Sequence, residues 1–153
     1  MIRVQEQLFD VGAELTALTA GRTDLGALAS FVGLVRAQGC PPITAMTLEH
    51  YPGMTENKLA EIEAEARARW PLQASLIVHR YGRMLPGEPI VLVATAAAHR
   101  AAALEACAFL IDWLKTEAPF WKLEETERAS RWVDARSADD AAAARWRRDS
   151  GGP

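Results

Sequence analysis

The sequence predicts an α+β fold with a mixed or antiparallel sheet, built as a single domain. Strand-like and helix-like segments are interspersed without the regular alternation that builds an all-parallel sheet. No Pro/Gly/Ser-rich linker and no internal repeat divides the chain. Its 153 residues, half of them hydrophobic, are enough for one ordinary core. The domain is taken as residues 1–148, with 149–153 as a disordered tail.

Each element has its own justification. Residues 2–9 alternate well enough for a first strand, and Asp10 caps a short helix through Leu18. A polar turn at 21–24 precedes 25–35, an apolar strand rich in small residues, where Gly33 permits close approach of a ligand or another backbone. Residues 37–42 carry turn chemistry and read as a loop. A strand at 45–51 follows, then a helix opening at Thr55, whose Leu59, Ile62, Ala66 and Trp70 share one face. Pro71 ends that helix. Residues 75–80 form a β-branched strand, RMLPGEP a turn, and 90–97 a nearly continuous apolar strand that suits burial on both faces.

The longest helical pattern lies within residues 95–124, with Leu104, Cys107, Ala108, Ile111 and Leu114 on one stripe taken as core. Pro119 stops it near Ala118. Lys115 then falls on the last turn and Lys122 just past the break, beside an aromatic corner formed by Phe120 and Trp121. Two readings of these residues stand on local physics. Either two amines face a reaction site, or both are solvated, with Lys115 complementing the helix dipole and Trp121 plugging the core. Residues 131–136 close the pattern as a short strand, before an Ala-rich helix.

Composition excludes several classes. A net charge of −3 and a pI near 5.6 argue against a general nucleic-acid binder. Cys40 and Cys107 form no CxxC pair and have no His cluster nearby, so neither metal nor cofactor is expected, and a reducing compartment is the simpler setting. The polar N-terminal segment does not read as a signal peptide, and no apolar run reaches ~18 residues, so a cytoplasmic protein is expected.

Candidate chemistry therefore rests on cations. His50 and the His79-Arg80 pair have no partner legible in sequence and read as structural. His99 and Arg100 lie at a strand-to-helix junction, where free backbone N–H groups favour an anion, although Arg100 also reads as an ordinary surface residue. Arg36 and Arg136 are comparable anion candidates. Three arginines and two lysines without a Walker loop or GxGxxG point to a small phosphorylated substrate rather than a nucleotide. With no nucleophile motif present, lysine is the best remaining catalyst.

The stretches FVGLVR, MTLEHYPGMTE, AHR, KTEAPFWK and RWVDAR occur in an order that resembles the large, catalytic subunit of molybdopterin synthase, over about residues 2–146. The resemblance implies an α/β hammerhead and a homodimer flanked by small ubiquitin-like sulfur carriers. It implies transfer of two sulfurs from the carrier's C-terminal Gly-Gly thiocarboxylate into cyclic pyranopterin monophosphate, giving the dithiolene of molybdopterin. Lys115 becomes the principal catalytic lysine and Lys122 its partner. Arg36, His99 and Arg100 become substrate ligands, with Leu34, Val35, Leu123, Glu124 and Arg136 in the same pocket. Relatives often carry a basic residue at the place of Leu34, so a backbone contact is expected there. A slim Gly-Gly tail needs walls of backbone and flat aromatics, for which Phe31, Gly33, Trp113 and Phe120 are the candidates. Two readings compete with the enzyme: a non-catalytic adaptor that docks a ubiquitin-like partner through Phe120-Trp121, and a phosphate-ligand sensor.

Helix length adds one expectation. Fifteen residues separate Arg100 from Lys115, about 22 Å along a helix, whereas a pterin monophosphate spans on the order of 10 Å. Both ends reach one substrate only if a two-fold dimer brings His99 and Arg100 of one subunit to Lys115 and Lys122 of the other.

Overall fold

The core forms around the segment apolar enough to be buried on both faces. In a computed structural model, which describes residues 1–133 and 137–150, this segment is β6 (Pro89–Ala97), buried throughout from Val91 to Ala97. It pairs antiparallel with β2 (Ala27–Leu34) on one side and with β4 (Leu72–Arg80) on the other. The short β1 (Ile2–Gln5) joins parallel to β4, giving a mixed sheet of order β1-β4-β6-β2. A second sheet of order β5-β3-β7-β8 is antiparallel throughout. It comprises β5 (Gly82–Met84), β3 (Ile43–His50), β7 (Phe120–Thr126) and β8 (Ser130–Val133). This is the expected α+β class.

Alternation in the first sheet sends two apolar sets to opposite faces. Leu76, Val78, Leu92 and Ala94 meet α1 (Val11–Thr19) through Val11, Leu15 and Leu18. Ile77, Val91 and Val93 meet α2 (Met54–Arg69) and α3 (Arg100–Glu117), against which α4 (Ser137–Ala144) and a 3-10 turn (Arg145–Ser150) also pack. The caps follow from local chemistry. Asp10 accepts from the Ala13 N–H at 2.8 Å, and Glu56 reaches back to accept from the Gly53 N–H at 2.6 Å. Ala118 turns extended before Pro119, ending α3 where the sequence places its stop.

Four expectations are corrected. The first strand ends at Gln5 rather than continuing to Phe9. The turn RMLPGEP contributes β5, because Met84 pairs with Met46 across the second sheet. The aromatic corner is the start of β7, which runs on to Thr126 between β3 and β8. Leu104 is 60% exposed, and α3 instead buries Ala103, Ala106, Cys107, Phe109, Leu110, Ile111 and Leu114. The helix is wedged between sheet and helices, so its buried arc is wider than one stripe and rotated from the one drawn through Leu104. Arg136 and residues 151–153 of the expected tail lie outside the described residues.

Two features of the core have measurable consequences. Gly26 donates its N–H to Ala97 O at 3.0 Å, and a Cβ there would lie 2.0 Å from the Ala98 carbonyl oxygen. Backbone cannot yield as a side chain can, so Gly26→Ala should lose at least about 1–3 kcal/mol, read from the urea midpoint at unchanged m. His79, in β4, is 5% exposed, and burial, with smaller contributions from the His50 and Lys115 charges, lowers its pKa from 6.5 to about 4. Between these values the unfolded chain binds a proton that the folded chain refuses. Stability contributed by the neutral ring is therefore full above pH 6.5 and drains away as pH falls toward 4, by roughly 2–3 kcal/mol. Urea titrations at pH 7.5 and 4.5 should show this loss in the wild type and a smaller one in His79→Phe; equal losses would refute it.

Candidate functional site

The register of the first sheet decides which end carries the site. Thr95 Oγ1 donates to Ala103 O at 2.6 Å, and Cys107 Sγ donates to Val93 O at 3.9 Å. As the helix number rises the strand number falls, so α3 runs back along β6. Its last turn, with Lys115, therefore lies over the start of β6, where Val91 stands between His79 of β4 and Gly33 of β2. The Lys115 charge acts on His79 from this position. Phe31 lies one row further in, opposite Val93. The chain leaves β2 at the same end, with Leu34 exposed, Val35 buried and donating to Glu88 O at 2.9 Å, and Arg36 exposed. Gly33 is bare backbone covered by its neighbour in this row, since a Cβ there would come within 2.8 Å of Val91 Cγ1.

β7 brings the second lysine. Phe120, Lys122 and Glu124 alternate onto one face, opposite His50, Leu48 and Met46 of β3. Glu124, its side chain 12% exposed, pairs with Lys122 at 3.3 Å and with Arg131 at 3.9 Å. A sheltered carboxylate thus orients the Lys122 ammonium, while Lys115 remains exposed on the helix end. The Phe120 ring stacks on His79, centroids 3.8 Å apart and planes at 16°. Trp121 points the other way, edge-on to Tyr51 at 4.4 Å, in a surface recess shared with Glu49, His50 and Trp132. Leu123 also lies on that outer face, between Thr47 and Trp132. Strand alternation therefore divides Phe120 from Trp121, and the two cannot act together as one adaptor hot spot.

Some expected residues are not brought together within one chain. His99, the N-cap of α3, and Arg100, its first residue, are exposed at the far end of the helix from Lys115. Trp113 is two positions from Lys115, about 200° around the helix, so it faces away from the lysine. It packs instead near Phe109 under the Arg147 guanidinium, in a recess with Lys58 and Glu117. That corrects its placement beside Phe120. Arg136 falls outside the described residues.

Sequence reading missed two residues. His50, its side chain 8% exposed, lies 4.3 Å from the Tyr81 ring and 6.1 Å from Phe120, and His79 underlies Phe120. The parity of His79 with Ile77 already placed it on the α3 face, but its row partners follow only from the register. The buried Cys107 thiol is not a rival to the lysines in this chemistry. Burial pushes the Cys107 thiol up to about 11, so at neutral pH it is protonated and a poor nucleophile.

Comparison with known proteins agrees with this architecture. The family model described as "MoaE protein" matches residues 4–117. The molybdopterin synthase catalytic subunit of Pseudomonas aeruginosa is 55% identical over 146 residues, covering 95% of this chain and 97% of that protein. The corresponding protein of Ralstonia nicotianae is 54% identical over 146 residues, covering 95% and 83%. Among solved structures, the molybdopterin biosynthesis MoaE protein of Burkholderia ambifaria superposes with a TM-score of 0.82 at 57% identity, covering 95% of this chain and 97% of that one. Molybdopterin synthase from Staphylococcus aureus superposes at 0.80 with 28% identity, covering 86% and 96%. With its two sheets, its lysine-bearing α3–β7 junction and relatives that span its length, this chain belongs to the MoaE family.

Proposed function

We propose that the chain is the catalytic subunit of a molybdopterin synthase, moving two sulfurs from the C-terminal thiocarboxylate of a small ubiquitin-like carrier into cyclic pyranopterin monophosphate. The observation that carries this reading is the convergence of Lys115, on the last turn of α3, with β7, which bears Lys122, where Phe120 stacks on His79. Both reactants are anionic, so cations fixed before reaction offset charge without reorganisation. Arg36, leaving β2 at the same end, is available to the phosphate, and Glu124 holds Lys122 in place. Phe31 and Phe120 supply flat walls, and Gly33 supplies bare backbone, for a slim Gly-Gly tail. The lysines move protons as sulfur adds and oxygen leaves, or stabilise the acyl intermediate. The sulfur arrives with the carrier, so the reaction asks nothing of Cys107. Among the described residues no helix is long and apolar enough to cross a membrane, and the reading places the reaction in the cytoplasm.

The opposed ends of α3 support the dimeric part of the proposal. Arg100 and Lys115 are separated by about 22 Å of continuous helix, so a pterin of roughly 10 Å meets both only across a two-fold axis. His99 and Arg100 of one subunit would then face Lys115 and Lys122 of its mate.

Incubation with thiocarboxylated carrier and the cyclic pyranopterin should add sulfur to the pterin, followed by mass spectrometry. Lys115→Ala should lose at least about 100-fold in turnover while retaining carrier affinity. A variant that loses the carrier but keeps its chemistry per bound complex would favour the adaptor instead. Mixing Arg100→Ala with Lys115→Ala chains should restore activity, because each mixed dimer regains one intact site. Mixed dimers as inactive as either parent, with exchange demonstrated, would rule out shared sites.

A further inference from the structure

Between Lys115 and Lys122 the chain leaves a helix, passes Pro119 and enters a strand, so the spacing of the two amines depends on what holds that reversal. Phe120 is its anchor on the first sheet. Its ring lies flat on His79, with centroids 3.8 Å apart. His79 is itself immobilised. It is paired in register with Val4 and Val91, and its Nδ1 lies 2.9 Å from Arg80 O, a contact that requires the Nδ1–H tautomer to donate. Arg80 is fixed in turn, its guanidinium donating to Glu6 O and Pro89 O, each at 3.0 Å, and to the Glu88 carboxylate at 3.3 Å. His50 lies 6.1 Å from Phe120, and Tyr81 lies 4.3 Å from His50. Four rings thus cluster between the two sheets at the start of β7.

We propose that His79 is a positioning residue, the flat face of its buried ring fixing Phe120 and, through it, the placement of Lys115 relative to Lys122. The stacking face does this work, while the Nδ1–H satisfies the Arg80 carbonyl. Buried and neutral, the ring adds no third positive charge beside the amines. The inference rests on the reading of Lys115 and Lys122 as the sulfur-transfer lysines, and a spectroscopic measurement keeps the two separable.

Three variants decide it. His79→Phe keeps the flat face, His79→Leu fills the space without one, and Phe120→Leu breaks the same stack from β7. Turnover by His79→Leu should fall roughly 10–100-fold, since misplacement of about 1 Å carries a penalty of that order. His79→Phe should stay within about threefold of wild type. Combining His79→Leu with Phe120→Leu should cost no more than the worse single change, because both remove one contact. In protein labelled with 13C-lysine, the Lys115 and Lys122 side-chain signals should shift in His79→Leu and return in His79→Phe. These spectra need no substrate, so they test the inference even if no sulfur transfer is found; should His79→Leu fail to fold, Phe120→Leu must give the same shifts. Unmoved lysine signals in a folded stack-breaking variant would overturn the proposal. So would equal impairment of His79→Phe and His79→Leu, which would assign the role to a ring nitrogen.

Discussion

The antiparallel docking of α3 on β6 is the constraint from which the other features follow. A strand of nine residues is about 30 Å long and a helix of 18 residues about 27 Å, so the helix retraces the strand almost end to end. The Thr95 hydroxyl and the Cys107 thiol lock that alignment with bonds to backbone carbonyls of the facing element. Once the helix retraces the strand, His99 and Arg100 stand at one end of the sheet and Lys115 at the other. The direction of docking therefore separates the anion-binding candidates from the lysines inside one chain, which is why the proposed site draws on two subunits.

The second sheet contributes through alternation. On β7 a single-residue step moves a side chain from one face to the other, so Phe120, Lys122 and Glu124 turn inward while Trp121 and Leu123 turn outward. The inward set meets the first sheet at His79. Lys122 is held by a sheltered carboxylate, whereas Lys115 is exposed, so the two amines occupy different environments despite their identical chemistry.

Much of the architecture was legible because it is written in local periodicity. The cap at Asp10, the stop at Ala118 and the doubly buried β6 each follow from a few adjacent residues. The failures share a physical origin. Leu104 was assigned to the core because its spacing fits a 3.6-residue stripe, but the actual burial was set by what packs on each side of α3. Trp113 was grouped with Phe120 as a flat aromatic wall, although its place on the helix, about 200° round from Lys115, turns it toward Phe109 and Arg147. β5 is three residues long and carries no periodicity of its own; β3 makes it a strand.

By itself the sequence determined the α+β class, the order of the main elements, and the lysines and arginines on which the proposed chemistry rests, because composition, capping and breaks in periodicity act over a few neighbouring residues. Only the tertiary structure decided that Gly33, Val91 and His79 share a row and that Phe120 faces His79 while Trp121 faces Tyr51. It alone drew His50 and His79 from an apparently structural role into the lysine site. Strand register and the direction of helix docking are set by long-range packing. A one-residue slip in strand register would reverse the faces without altering any local signal that the sequence carries.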